Sequence, residues 1–148
     1  MANIILTGND TVKINGRIIT AFVTGGKTGA GTIEFPNQLV SITTGKNGNS
    51  TYTLNEDGQQ CKVVLNLVRG SPDDCFLNSL LSLMKADFAS FTLLTGEINK
   101  RVGSGDSSVR DDIYILTGGV FTKEVEAKEE DGAATWNLSF NSAPRSIV

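Results

Sequence analysis

Turn-forming clusters rich in glycine and asparagine divide this chain into short runs, and this division restricts its fold more than any other feature. Asn15-Gly16, residues 45–49 and residues 55–58 each follow a short run that contains apolar residues. Asn-Gly favours the type I′ turn of a hairpin because both of its central positions need a positive φ. The clearest strand is predicted at residues 59–68, whose apolar face carries Cys61, Val63, Leu65 and Leu67.

Further strands are predicted from the same patterns. Residues 11–23 are expected to form a hairpin around Asn15-Gly16. The other predicted strands cover residues 33–35, 39–44, 50–54, 88–94 and 113–117. The glycine-rich residues 24–32 and the polar residues 96–112 are predicted to be loops.

A long hairpin is predicted over residues 120–140, with Asp131-Gly132 as its two-residue turn. This turn sets three facing pairs, which are Ala127 with Trp136, Val125 with Leu138, and Lys123 with Phe140. We therefore expect Trp136 in the core, where the small Ala127 leaves room for the indole. The opposite, polar face is predicted to carry Thr122, Glu124, Glu126, Thr135, Asn137 and Ser139.

One helix is predicted, from Pro72 to about Ala86. Ser71 is a suitable N-cap, proline is favoured at the first helical position, and Asp73 and Asp74 follow at the positive end of the helix dipole. The apolar residues that recur at helical spacing are Phe76, Leu77, Leu80, Leu81 and Met84. Such a helix is expected to cover an apolar sheet face or an open barrel end.

These elements predict one domain over residues 1–148, because 148 residues are typical of a single domain. A chain of this length can bury about 70% of the surface that it exposes when unfolded. The predicted fold is mainly β: an antiparallel β-sandwich or rolled β-barrel, with one flanking α-helix at about 72–86 and long loops.

The composition argues against several classes of function. The net charge of −3 does not favour a surface that grips nucleic acid, since phosphate binding needs clustered Lys and Arg. The chain has no histidine, which removes the commonest general base and metal ligand. We therefore expect a protein that is not an enzyme and has no catalytic residues, no metal site and no cofactor.

Two motifs resemble binding loops but lack their full patterns. Gly25-Gly26-Lys27-Thr28 is similar to the end of a phosphate-binding P-loop, but Ala21 stands where that pattern needs glycine and no helix is predicted to follow. Residues 103–108, together with Asp111 and Asp112, offer oxygen ligands without the spacing of a calcium loop. Both segments are expected to be ordinary loops.

The remaining candidates are interpreted as structural. Glu124 and Glu126 lie two apart on one strand face and are expected to be solvated. Cys61 and Cys75 are too few for a disulfide scaffold and are expected to be buried, reduced thiols. Residues 1–6 lack the features of a signal peptide, and no apolar run approaches the roughly 20 residues of a membrane span. We expect the chain in the cytoplasm at synthesis, without membrane insertion.

Five stretches of the chain carry a resemblance to a known family. They are Ser41-Ile-Thr-Thr-Gly-Lys-Asn-Gly, Asn55-Glu-Asp-Gly-Gln-Gln, Val68-Arg-Gly-Ser-Pro-Asp-Asp-Cys-Phe-Leu-Asn-Ser-Leu-Leu, Ile115-Leu-Thr-Gly-Gly-Val-Phe-Thr-Lys-Glu-Val-Glu-Ala and Ser139-Phe-Asn-Ser-Ala-Pro-Arg. Over about residues 11–145 the chain resembles tail tube proteins of contractile-tailed phages and related prophages.

The resemblance implies a structural subunit that works only after self-assembly. Its copies would form rings, usually hexameric, stacked into a hollow tube inside a contractile sheath, and this tube would conduct DNA during genome ejection. The implied partners are other copies of the chain, the sheath, baseplate and tail-terminator proteins, and DNA that passes through the lumen without specific binding. The implied location is the virion tail, after assembly in the host cytoplasm.

A tube requires segments that reach an adjacent subunit. The polar, glycine-bearing residues 24–32 and 45–55 are the best candidates, because their most polar parts can bury little apolar surface within one subunit. Lys46 and Asn47 lie at a turn between two predicted strands and should project from the end of the sheet. The predicted subunit-contact residues are Lys27, Thr28, Lys46, Asn47 and Asn49.

Two alternatives remain beside the phage tube. The chain could be a tube or baseplate protein of a secretion or contractile injection system, which the sequence barely separates from a phage tube. It could instead be a monomeric β-barrel binding module for a small ligand. That module would be a stable monomer with an apolar pocket, whereas a tube subunit would form rings or filaments.

Overall fold

The structure, a computed structural model, describes residues 3–6, 10–23, 31–103, 105, 108–128 and 132–147. Within these residues the protein is mainly β, with antiparallel strand pairs and one α-helix, which confirms the predicted fold class. The strands are β1 (Asn3–Leu6), β2 (Thr11–Ile14), β3 (Arg17–Ile19), β4 (Gly31–Glu34), β5 (Val40–Thr44), β6 (Ser50–Leu54), β7 (Cys61–Val68), β8 (Leu94–Gly103), β9 (Val109–Phe121), β10 (Glu126–Lys128), β11 (Ala133–Ser142) and β12 (Arg145–Ile147). The helix α1 spans Pro72–Ala86, and short 3₁₀ helices span Glu56–Gln59 and Phe88–Ser90.

The large sheet has the strand order β1-β4-β7-β11-β9-β8-β2-β3, with β10 beside β11 and β12 beside β9. Its path is open, but the chain beyond β3 returns to β7 on the other side of the fold. Phe22 forms an isolated bridge with Leu67, and the amide of Val68 donates to the carbonyl of Ala21 at 2.8 Å. The sheet is therefore rolled around one core, although the described strands do not form a closed barrel.

The first hairpin has the predicted turn. Asn15 and Gly16 have φ values of 50° and 83°, as a type I′ turn requires, and Ile14 pairs with Arg17. The turn is also fixed to β8, because the Asn15 amide donates to the Thr95 carbonyl at 2.8 Å and the Thr95 amide donates to Asn15 Oδ1 at 3.0 Å. These contacts position β2 and β3 along β8.

The helix α1 has the predicted bounds and the predicted N-cap. The Asp74 amide donates to Ser71 Oγ at 3.2 Å, which satisfies one of the free amides of the first turn. Leu77 and Leu81 are buried in the core, while Phe76, Leu80 and Met84 are partly buried against it. The apolar face of the helix therefore covers the interior of the rolled sheet.

Asp73 connects the start of α1 to the chain that follows β3. It is only 4% exposed, and its carboxylate accepts hydrogen bonds from the amides of Thr20 and Ala21 at 2.9 and 3.0 Å and from Arg17 Nε at 2.9 Å. Burial raises the pKa of Asp73, but these three donors outweigh burial and hold the pKa below its ordinary value. The charged form is therefore the stable one in the folded protein.

We expect Asp73→Asn to lower the free energy of unfolding at pH 7 by about 1–3 kcal/mol, because an amide replaces a carboxylate that accepts from three donors. A lowered folded pKa stabilises the protein above the ordinary value of about 3.9 and loses this effect as the pH falls through the folded pKa. Urea titrations of both proteins between pH 7 and pH 3 should show the difference shrinking below about pH 4. An equal difference at both ends of the range, with exposed Asp57→Asn as the control, would exclude this role for Asp73.

The prediction of a loop over residues 96–112 is wrong. Residues 94–103 and 109–121 form the long strands β8 and β9, which pair from Leu94 with Gly119 to Gly103 with Val109. Ile98 is fully buried between polar neighbours, and Lys100 and Arg101 lie opposite Asp112 and Asp111. Of these facing residues only Arg101 and Asp111 approach each other, at 3.7 Å, whereas Lys100 binds Asp10 and Asp112 binds Arg145. The charged residues here are thus held in the sheet by partners on and beside several strands. The predicted short strand at residues 113–117 is the middle of β9.

Two other predicted strands have different boundaries in the structure. The predicted strand at 88–94 is a 3₁₀ helix at Phe88–Ser90 followed by an irregular segment, and the strand begins only at Leu94. Asp87 holds this turn, since Ser90 Oγ donates to its carboxylate at 2.7 Å. The strand predicted at residues 33–35 is β4, which begins two residues earlier, at Gly31, within the predicted 24–32 loop. Residues 24–30 of that loop lie outside the described residues.

The last hairpin exists in part, but its predicted register is wrong by two residues at Ala127 and by four at Leu138 and Phe140. Ala127 pairs with Ala134, Leu138 with Phe121, and Phe140 with Gly119. Lys128 and Ala133 end the β10–β11 ladder, so four residues rather than two separate the strands. Because a shift by an even number of residues keeps every side chain on its face, Trp136 is still fully buried, as predicted.

Two predictions about polar and thiol side chains are also wrong. Thr135 is buried rather than solvated, because β11 is flanked by β7 and β10, and its hydroxyl donates to Asn66 Oδ1 at 2.9 Å. Cys61 is buried, as expected, but Cys75 is exposed. Cys75 lies two residues before the buried Leu77, which is about 200° around a helix, and so faces solvent.

Candidate self-association surface

A two-stranded sheet of β5 and β6, here called the ribbon, is separate from the large sheet. The prediction of strands on both sides of the turn at residues 45–49 is confirmed, with pairs from Val40–Leu54 to Thr44–Ser50. Nine of the ten strand residues are exposed, and only Ser41 is partly buried. An isolated hairpin of this size is at best marginally stable in water, so its surroundings must hold it in place.

The base of the ribbon is held by two asparagines. The Asn55 amide donates to the Leu39 carbonyl at 2.8 Å, and its side chain donates to the Gln38 carbonyl and to Ser41 Oγ at 3.0 and 2.8 Å. Asn37 donates to the Asp57 carbonyl at 2.9 Å, which joins the base to the 3₁₀ helix at Glu56–Gln59. These bonds fix the ribbon where it leaves the body of the protein.

Gly58 allows the closest approach at this base. A Cβ atom at Gly58 would lie 2.6 Å from Leu39 Cα and 2.9 Å from the Gln38 carbonyl oxygen. Any larger residue would therefore push the 3₁₀ helix away from the ribbon.

The tip of the ribbon contains three of the predicted contact residues. Lys46 and Asn47 are exposed, as expected for a turn that projects from the sheet end. Asn49 also belongs to the turn itself, because its carbonyl accepts from the Gly45 amide at 2.7 Å and its amide donates to Asn47 Oδ1 at 3.2 Å. Lys27 and Thr28, the other two predicted contact residues, lie outside the described residues.

The ribbon has one apolar face, which the sequence analysis did not identify. The facing pairs Val40–Leu54 and Ile42–Tyr52 lie on one side, and the pairs Ser41–Thr53 and Thr43–Thr51 lie on the other. The exposed fractions are 60% for Ile42, 69% for Tyr52 and 58% for Leu54. Alternation at Val40 and Ile42 and at Tyr52 and Leu54 is the sequence signal for this face, but it becomes a stripe only when the two strands pair.

A cavity of about 520 Å³ lies at the base of the ribbon. Its apolar lining residues are Phe35, Leu39, Tyr114, Ala143 and Pro144, and the rings of Phe35 and Tyr114 are 6.2 Å apart. Gly58 and Gln59 bring the 3₁₀ helix to the rim, so one end of the cavity is formed by the same segment that holds the ribbon. We call this the base cavity.

The charged group at the base cavity is paired. Arg145 donates from Nε and Nη2 to the two carboxylate oxygens of the buried Asp112 at 2.7 and 3.0 Å. This hydrogen-bonded pairing raises the pKa of Arg145, while burial, with a contribution from the Asp112 charge, raises the pKa of Tyr114. The arginine is thus neutralised, and the tyrosine stays protonated at neutral pH.

The other candidates from the sequence have structural partners or no cluster around them. Asp112 binds Arg145, Arg101 lies 3.7 Å from Asp111, and Glu124 pairs with Lys85. Among the described residues, no group of three or more acidic or thiol side chains is placed to hold a metal ion. Burial raises the pKa of the Cys61 thiol to about 12, so this thiol stays protonated and unreactive.

No α-helix in the described part of the chain is long and apolar enough to cross a membrane. Comparison with protein-family models and with curated proteins finds no match for this chain. The ribbon and the base cavity are therefore interpreted from their own geometry.

Proposed function

We propose that this protein is a structural subunit of a phage tail tube that assembles into stacked, hexameric rings enclosing a conduit for DNA. The observation that carries the proposal is the ribbon, which projects from the body with an exposed apolar face. A monomer in water gains nothing from an apolar stripe on a solvent-exposed arm, whereas a partner that covers the stripe removes it from water. The sequence resemblance to tail tube proteins is the reason for proposing stacked rings as the assembly.

The sheet edges and the charge are compatible with this function. The described path of the large sheet ends at β1 and β3, and an open sheet can pair with a neighbouring copy at its edge. The net charge of −3 suits a lumen that repels phosphate and lets DNA slide. Within this proposal, the sheath, baseplate and tail-terminator proteins are further partners.

We expect the purified protein to form rings or tubes at high concentration, and the double variant Ile42→Ser/Tyr52→Ser to lose them. The two side chains face each other on the apolar side of an exposed ribbon, so their loss should change the free energy of unfolding by at most about 1 kcal/mol. The matched control is Thr43→Ser/Thr51→Ser, the adjacent pair on the polar side. Light scattering and negative-stain electron microscopy measure assembly, and urea titration measures stability.

The outcomes separate the proposal from its main alternative. A wild-type protein that stays monomeric at every concentration contradicts the tube function. The base cavity favours a monomeric binding module as the second candidate, since 520 Å³ lies within the usual 300–1,000 Å³ of ligand sites. That module would remain monomeric and would bind an apolar fluorescent probe in the cavity.

A further inference from the structure

We propose that the base cavity of one copy receives the apolar face of the ribbon of a second copy. This inference rests on the proposed function, and it adds the acceptor to which the ribbon binds. The occupant is therefore another copy of the same chain, and the central inserted side chains are Ile42 and Tyr52.

The ribbon does not fill the cavity of its own copy. The described lining of the base cavity includes no residue of β5 or β6, although Leu39, which directly precedes β5, is part of it. Ile42 and Tyr52 remain 60% and 69% exposed. Asn55 fixes the base of the ribbon, and no residue of β5 or β6 is part of the described cavity lining of its own copy, so both surfaces are available to neighbours.

The chemistry of the cavity matches an apolar occupant. Its walls are mainly aliphatic and aromatic, and a volume of about 520 Å³ is sufficient for an aromatic side chain with its neighbours. Arg145 is already bound by Asp112, and Asn37 donates to Asp57 and Gln60, so these polar groups have partners without a ligand. An anionic small molecule would have to compete with Asp112, whereas an apolar side chain would not.

The charges around the two surfaces are also complementary. Lys46 is the one charged residue between Val40 and Leu54. The 3₁₀ helix that supplies Gly58 and Gln59 to the cavity begins with the exposed acids Glu56 and Asp57. The ribbon and the segment next to the cavity thus carry opposite charges, which favours their pairing over a random apolar contact.

A contact between two different surfaces of the same chain is heterologous. Each copy still has a free ribbon or a free cavity after pairing, so the contact repeats until a ring closes or a filament grows. The proposed pairing therefore supplies one of the repeating contacts that a tube needs, without requiring a second kind of subunit.

The test uses two variants that each disable one half of the contact. The ribbon variant is Ile42→Ser/Tyr52→Ser, and the cavity variant is Gln59→Trp, which places an indole from an exposed rim position into the cavity. Each variant alone should associate at least about tenfold more weakly than wild type, the size expected from truncating a central contact residue. A 1:1 mixture should form a complex, because the ribbon of one variant still fits the cavity of the other.

Sedimentation velocity of the separate and mixed proteins provides the readout. Gln38→Trp is the matched control, because Gln38 is exposed and next to the cavity but does not line it, and it should associate as wild type does. Pro144→Trp blocks the cavity from another lining position and repeats the test if Gln59→Trp fails to fold in a urea titration.

The remaining outcomes would contradict either the pairing of ribbon and cavity or the ribbon contact itself. A mixture that associates no better than its components overturns the pairing. If Gln59→Trp and Pro144→Trp both grow normal tubes while the ribbon variant does not, the ribbon contacts another surface and the proposed function survives. If the ribbon variant grows normal tubes, the ribbon contact and this inference both fail. An apolar probe that occupies the cavity equally in assembled and monomeric wild-type protein would instead assign the cavity to a small molecule.

Discussion

Replacing Trp136 with alanine is expected to lower the free energy of unfolding by about 3–5 kcal/mol. Trp136 is fully buried on β11, its ring centroid lies 5.5 Å from that of Phe121, and its strand position is opposite Leu65. Removal of the indole leaves a cavity between β7, β9 and α1 that neighbouring side chains can fill only in part. Urea unfolding followed by far-UV circular dichroism measures this loss without relying on tryptophan fluorescence.

The variant Trp136→Phe separates packing from hydrogen bonding at the same position. Trp136 Nε1 donates to Asp74 Oδ1 at 2.9 Å, and this bond ties β11 to the first turn of α1. Asp74 Oδ2 also accepts from the Gly70 amide, so the carboxylate keeps one partner when the indole N–H is lost. We expect Trp136→Phe to be clearly less destabilising than Trp136→Ala, with the lost bond contributing about 0.5–1.5 kcal/mol. Equal losses would show that the hydrogen bond, rather than the packed volume, dominates.

Leu77→Ala is expected to lower the free energy of unfolding by about 2–5 kcal/mol. Leu77 is fully buried at the centre of the apolar face of α1, where the helix packs on the interior of the rolled sheet. The loss combines the transfer free energy of the missing atoms with the cavity that they leave. Equilibrium urea unfolding with an unchanged slope would assign the effect to the native state.

Leu80→Ala is the matched control on the same helix. Leu80 belongs to the predicted apolar stripe but is only partly buried, at the edge of the packed face. We therefore expect it to cost less than Leu77→Ala, although more than the about 0.5 kcal/mol of an ordinary surface change. A larger loss at Leu80 than at Leu77 would mean that the helix packs on the sheet through a different face.

The strength of the local signals explains which elements could be predicted. Asn15-Gly16 permits few backbone conformations other than a tight hairpin turn, and Ser71 with Pro72 fixes the start of α1 from local hydrogen bonding and ring geometry. The alternation at Cys61–Val68 fixed which side chains of β7 are buried. The turn at residues 45–49 and its flanking strands were equally determined by residues near one another in the chain.

Elements whose stability comes from distant residues could not be predicted in the same way. The strands β8 and β9 are polar in sequence, and their charged residues find partners only in the folded chain: Lys100 binds Asp10, Asp112 binds Arg145, and Arg101 lies 3.7 Å from Asp111. The register of β11 depended on pairing with β7 and β9, which overrode the two-residue turn expected at Asp131-Gly132. In both cases the deciding partners are separated in sequence, so no local pattern contained the information.

The features of the candidate site likewise fall into those that local residues determine and those that depend on distant residues. The exposed tip with Lys46 and Asn47 could be predicted from local residues, because a turn of glycine and asparagine residues needs only its own backbone. Three features depend on the folded chain: β5 and β6 leave the large sheet, Ile42 and Tyr52 form one exposed apolar face, and a cavity lies at their base. Whether a side chain is exposed or lines a cavity depends on its neighbours. These neighbours, on or next to β4, β9 and β12, come together only after the chain has folded.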